Sequence, residues 1–129
     1  MARKLILIVE DDAAARQVMQ LRLRAHYDVM ALSDIITGMT EARKNPPDLI
    51  ILDLGLPGGG GLAFLERLQA IPRLGGVPVI VVSAHERSQA ESQSLAAGAA
   101  AYFQKPADPE KLLQKIRELL REDASGTSA

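Results

Sequence analysis

Three stretches of the chain, Lys4 to Val9, Asp48 to Leu52 and Pro78 to Ser83, are dense in isoleucine, valine and leucine and carry no alternating polar positions. A strand with one face in water needs a polar residue at every second place. These runs therefore predict strands covered on both faces, as in a parallel sheet between two layers of helices. Two shorter or more mixed segments, Tyr27 to Leu32 and Ala100 to Gln104, predict strands nearer the sheet edges.

The stretches between these runs carry helical spacing. Ala14, Val18, Leu21 and Ala25 recur at intervals of four, three and four and predict one apolar stripe facing the core. Leu112, Leu113, Ile116, Leu119 and Leu120 do the same near the C-terminus. From Glu86 to Ala97 only Ala90, Leu95, Ala96 and Ala97 are available for burial, so that helix is expected to be weakly anchored. Breakers stand where the alternation needs them. Asn45-Pro46-Pro47 ends the second helix, Pro57 to Gly61 opens the third, Pro72 to Gly76 closes it, and Gly98 caps the fourth. Asp108-Pro109-Glu110 reads as N-cap, first-turn proline and first-turn acid of the last helix. The order is (βα)5, which with right-handed crossovers means a doubly wound α/β three-layer sandwich on a five-stranded parallel sheet.

At 129 residues the chain fits one domain. We expect residues 1–122 to form it and residues 123–129, small and polar, to be a disordered tail or linker. Hydrophobic residues at 47% and charged ones at 24% set the chain apart from disordered sequences. A net charge of -1 offers no reason to expect nucleic acid or an anionic membrane as a direct partner. The absence of cysteine excludes disulfides and thiolate metal sites. No apolar run approaches the ~20 residues of a membrane span, and Glu10-Asp11-Asp12 breaks the first run too early for a signal peptide.

In an open parallel sheet, ligands gather beyond the carboxyl ends of the strands. Glu10-Asp11-Asp12 follows the first strand, Asp53 the third, Ser83 ends the fourth, and Lys105 follows the fifth. Four strand ends thus deliver carboxylates, a hydroxyl and one ammonium to the same rim. Crowded carboxylates repel and are penalised by desolvation unless a cation compensates. An all-oxygen donor set suits Mg²⁺ better than zinc, and neither His26 nor His85 belongs to a metal-ligand pair. Read alone, Asp11 or Asp12 would serve equally well as a cap for the first helix. Asp53 is harder to dismiss, because an acid closing the apolar run Leu49 to Leu52 needs a partner.

Five stretches carry a family resemblance: Ile6 to Asp12, Pro47 to Leu54, Leu56-Pro57-Gly58 with Gly61, Val81 to Ala84, and Tyr102 to Pro106. Together, from Leu5 to about Leu120, they resemble the receiver domains of bacterial two-component response regulators. The resemblance implies a flavodoxin-like sheet of strand order 2-1-3-4-5 and a cytoplasmic protein. It makes Asp53 the acceptor of a phosphoryl group from a sensor histidine kinase or phosphotransfer protein. Mg²⁺ would be held by Asp11 directly, Glu10 through water, Asp53, and the backbone carbonyl of Gly55. Lys105 and the Ser83 hydroxyl would bind phosphoryl oxygens. Ser83 and Tyr102 would relay the change to the fourth helix, fifth strand and fifth helix, which address a downstream output domain or target protein. Such a chain catalyses only its own phosphotransfer and dephosphorylation, and it is a monomer or a weak homodimer. The Lys105-Pro106 peptide is expected to be cis. Gly55 and His85 stand at the positions that tune loss of the phosphate to water, and bare Gly55 would leave the group open.

Some positions depart from the family. Gly59-Gly60 replaces a bulkier residue followed by an acid, and Ala107 replaces an aromatic. A haloacid-dehalogenase-like phosphatase would need an acid where Gly55 stands. A dinucleotide fold would need glycines where Glu10-Asp11-Asp12-Ala13 stands, and Gly58 to Gly61 lacks the Lys-Ser/Thr of a nucleoside-triphosphate loop. The remaining alternative is a pseudo-receiver, an interaction module of the same fold that does not use phosphate.

Overall fold

The apolar runs become β1 (Leu5–Val9), β3 (Leu49–Leu52) and β4 (Val79–Ser83), and the mixed segments become β2 (Asp28–Leu32) and β5 (Ala101–Gln104). The computed structural model describes residues 3–55, 60–84 and 87–121. The expectations placed on Leu56 to Gly59, on His85 and Glu86, and on the tail lie outside the described residues. All pairings are parallel and the order is β2-β1-β3-β4-β5, so the mixed strands do occupy the two edges.

Between the strands run α1 (Ala13–Leu23), α2 (Ile35–Lys44), α3 (Gly61–Ala70), α4 (Arg87–Ala96) and α5 (Pro109–Leu119). Their starts follow from capping chemistry. The Asp12, Asp34 and Asp108 carboxylates accept from the Ala15, Thr37, and Glu110 and Lys111 amides, so each satisfies donors that the first turn leaves unpaired. Gly98 ends the α4 region at φ 112°, and a β-carbon there would meet the Gln69 side chain at 2.8 Å.

The sheet divides the interior into two apolar compartments. Leu7, Val9, Ile50, Leu52, Val79 and Val81 face one side, where Met39 and Ala42 of α2, Phe64, Leu65 and Leu68 of α3, and Ala90 of α4 cover them. Ile6, Ile8, Leu49, Ile51, Ile80 and Val82 face the other, under Leu23 of α1 and Leu112 and Ile116 of α5. Alternate residues of one strand thus enter different compartments, which is why these runs tolerate no polar position.

Two expectations about helix faces are corrected. In α1 the predicted stripe faces outward: Ala14 and Ala25 are exposed, and Val18 and Leu21 are 50% and 51% exposed. Leu23 is the buried residue, with Met19 packed beside it. The helix bears two apolar stripes, and the one with the bulkier Met19 and Leu23 turns inward. In α4 Leu95 is exposed and Ser94 is buried, its hydroxyl donating to the Ala90 carbonyl at 2.6 Å. The fifth helix is as expected, with Leu112, Ile116 and Leu120 buried and Leu113 and Leu119 packed at the margin.

Candidate functional site

The backbone ladder runs one residue past the strands and so fixes the residues just beyond their ends. The Glu10 amide donates to Leu32 O at 2.9 Å, Asp53 to Val9 O at 3.0 Å, and Lys105 to Ser83 O at 2.7 Å. Registers pair Val9 with Leu32 and Leu52, so β1, β2 and β3 end level, while Leu52 pairs with Val81 and Ser83 with Gln104, so β4 and β5 run on past them together at the same edge. Four of the residues named from sequence are therefore mounted on one rim by main-chain geometry alone.

Glu10, Asp11 and Asp53 each offer an oxygen, and these oxygens lie within 4.8 Å of one another. Glu10 and Asp53 are only 1% and 6% exposed, whereas Asp11 is open to solvent. Lys105 Nζ sits 2.8 Å from Glu10 Oε1 and 3.3 Å from Asp53 Oδ2. The second Glu10 oxygen accepts the Asp12 amide at 3.1 Å, and Asp53 Oδ1 accepts the Gly55 amide at 2.9 Å. Asp12, one of two candidates for capping α1, is the residue that does so, which leaves Asp11 for the cluster.

Burial pushes the Glu10 carboxyl above its ordinary value; the Lys105 hydrogen bond only partly restrains this, and the neighbouring Asp53 adds to it. Burial works to lower the Lys105 ammonium, but its bond to Glu10 and the charges of both acids outweigh this and its pKa ends raised. Three carboxylates with one ammonium leave an excess of negative charge around oxygen donors. That excess, with an exposed acid at the opening, is the condition that a hard divalent cation meets.

Ser83 is fully buried at the end of β4, and Tyr102 of β5 is buried in the compartment that also holds Ala90 of α4. Gly55 is exposed, and a β-carbon on it would lie 3.4 Å from Asp53 Oδ1. The Lys105-Pro106 peptide is cis, as the resemblance implied. Beside the rim a groove of about 580 Å³ opens between α1 and α5, lined by Ala14, Val18, Pro106 and Ala107 among others, with Glu10 and Lys105 at its edge. Sequence reasoning missed Arg16, whose guanidinium donates to the Glu10 carbonyl at 2.8 Å. The available signal was its charge, since a cation in the first turn of a helix opposes the helix dipole.

A family model described as the response regulator receiver domain matches residues 6–117. The DNA-binding dual master transcriptional regulator RpaA of Synechocystis is 38% identical over 117 residues, covering 90% of this chain and 48% of its own length. The KDP operon transcriptional regulatory protein KdpE of Escherichia coli is 37% identical over 124 residues, covering 95% and 54%. The chain thus spans about half the length of the curated relatives it matches. The expectation of no nucleic-acid partner, drawn from net charge, is accordingly not supported for any larger protein of this kind.

Among solved structures, a CheY-like receiver domain protein of Methanospirillum hungatei aligns with a TM-score of 0.86 at 32% identity, covering 94% of this chain and 96% of that one. The receiver domain of the Pseudomonas aeruginosa sensor histidine kinase PA1611, with a magnesium ion coordinated in its active-site cleft, aligns at 0.85 with 26% identity, covering 93% and 99%. No described helix is long and apolar enough to cross a membrane. With its strand order, its acidic rim and a family match along most of its length, this chain belongs to the response regulator receiver domains of two-component signalling.

Proposed function

We propose that the chain accepts a phosphoryl group on Asp53 from a histidine-phosphorylated partner and changes its α4-β5-α5 surface in response. The observation that carries this reading is the meeting of Glu10, Asp11 and Asp53 oxygens within 4.8 Å, with the Lys105 amine in contact with two of those side chains.

An Asp53 oxygen attacks the phosphorus of a phosphohistidine, the P–N bond breaks, and the imidazole leaves while an acyl phosphate remains on Asp53. Glu10, Asp11, Asp53 and the Gly55 carbonyl would hold a magnesium ion, which supplies neutralisation of charge on the phosphoryl oxygens. Lys105 follows the phosphoryl group as a mobile ammonium, and the Ser83 hydroxyl bonds a further oxygen. Turning of the Ser83 hydroxyl toward that group frees room for Tyr102, whose compartment includes Ala90 of α4. With serines and glutamines along much of its length, α4 is the helix this rearrangement displaces most easily. Residues 1–122 act as the receiver, with an output domain or target protein downstream. The chain turns over no external substrate beyond the phosphodonor.

The test is incubation with acetyl phosphate, with and without Mg²⁺, followed by intact-mass measurement. Addition of one phosphoryl group that needs Mg²⁺ and is abolished by Asp53→Asn is the expected result. A chain that stays unmodified under saturating donor and metal is a phosphate-independent interaction module.

A further inference from the structure

We propose that Arg16 is a positioning residue for the magnesium site, acting through the backbone of the two acids that open it; the inference rests on the metal-binding reading above. Arg16 lies in the first turn of α1, where the helix dipole disfavours a cation, so its place is not explained by the helix. Its half-buried side chain folds back so that Nη1 donates to the Glu10 carbonyl at 2.8 Å and more loosely to the Asp11 carbonyl at 3.4 Å. These two residues carry two of the three carboxylates in the cluster.

The consequence differs for the two acids. Glu10 is held at both carboxylate oxygens, by Lys105 and by the Asp12 amide, so its side chain has anchors of its own. Asp11 is exposed, and the direction in which it projects is set by the peptide that bears it. Arg16 ties that peptide to α1, whose start is independently fixed by the Asp12 cap on Ala15. The helix, the guanidinium and the loop form a closed frame around Asp11. Such outer contacts orient metal ligands before the ion arrives.

A different role, that of a counter-ion quieting the acidic cluster, predicts the opposite sign. If Arg16 served only by its charge, removing it would strengthen attraction for a divalent cation. If it holds the loop, removing it weakens binding although the site becomes more negative. Calorimetric titration of Mg²⁺ into the full chain at neutral pH, repeated with Mn²⁺ followed by electron paramagnetic resonance, separates the two. Arg16→Met is expected to weaken both dissociation constants on the order of 10-fold. Arg16→Lys, which keeps a donor for one carbonyl, should recover part of that loss.

Melting in EDTA provides the control, because a merely structural role would lower the midpoint and leave the dissociation constant of the folded protein unchanged. Should Arg16→Met fail to fold, a few-fold weakening in Arg16→Lys with wild-type melting supports the positioning role equally. Variants that bind Mg²⁺ as tightly as wild type, or more tightly, overturn the positioning role alone. A wild-type chain that binds neither ion overturns the metal site itself, and this inference with it.

Discussion

Replacing Asp53 with asparagine should make the metal-free protein more stable while removing its proposed activity. Two like charges about 5 Å apart cost roughly 3 kcal/mol at an effective dielectric of about 20, and an oxygen of Asp53 lies no farther than 4.8 Å from one of Glu10. Its attraction to Lys105, at 3.3 Å, is opposite in sign and is screened to about the same size because the lysine side chain is 26% exposed. Lys105 is not stranded by the change, since Glu10 holds it at 2.8 Å, and an amide oxygen can still accept from the Gly55 backbone. The repulsion from Asp11 and the desolvation of Asp53 then remain, and relieving them favours asparagine by roughly 1–2 kcal/mol. For a domain of this size that is a rise in melting midpoint of about 4–7 °C. Circular-dichroism melts in EDTA at pH 8 provide the measurement. Excess Mg²⁺ should reverse the order, since metal at a hundred times its dissociation constant adds about 2.7 kcal/mol to a protein that binds it, and the variant lacks one of the proposed ligands. A variant that melts below wild type in EDTA would show that Lys105 outweighs the carboxylate repulsion and would refute this account of the rim.

Three further outcomes rest on individual contacts. Glu10 has a raised folded-state pKa, so its contribution to stability is fully present below the ordinary value of 4.5 and is lost as pH rises through the folded value. The melting midpoint of Glu10→Gln minus that of wild type, in EDTA, should therefore grow as pH rises from 4.5 toward neutrality; a flat difference would contradict the shift. Gly55→Asn places a side chain starting 3.4 Å from Asp53 Oδ1, so the phosphorylated form should outlive that of wild type when followed by phosphate release, and an unchanged lifetime would sink the shielding idea. Gly98→Ala forces a β-carbon into a backbone at φ 112° and toward Gln69, and should cost about 1–3 kcal/mol in denaturant unfolding with the fold retained.

The sheet was legible because apolar density and strand length are properties of contiguous residues. Each strand begins one residue later than its apolar segment, and the strands with mixed composition stand at the edges. The rim was legible for the same reason, since Glu10, Asp53, Ser83 and Lys105 are placed by where strands stop. The face of α1 was not, because two apolar stripes share that helix and only the fit of Met19 and Leu23 against the sheet decides between them. Nor could the sequence say that Ser94 would take an inward place beside Leu95, because this depends on its hydroxyl finding the Ala90 carbonyl. The division of labour between Asp11 and Asp12 is a three-dimensional contact with no one-dimensional trace, and the charge of Arg16 early in a helix marks the residue without saying that it reaches back to Glu10.

The partition of the interior by the sheet bears on how such a domain diversifies. Trimming Ile6 or Ile8 hollows the side roofed by α1 and α5, while trimming Leu7 or Val9 hollows the side roofed by α2, α3 and α4. Neighbouring codons therefore report to opposite flanks. Packing on the flank bearing α4 can thus be remodelled by substitution while the packing beneath α1 stays as it was.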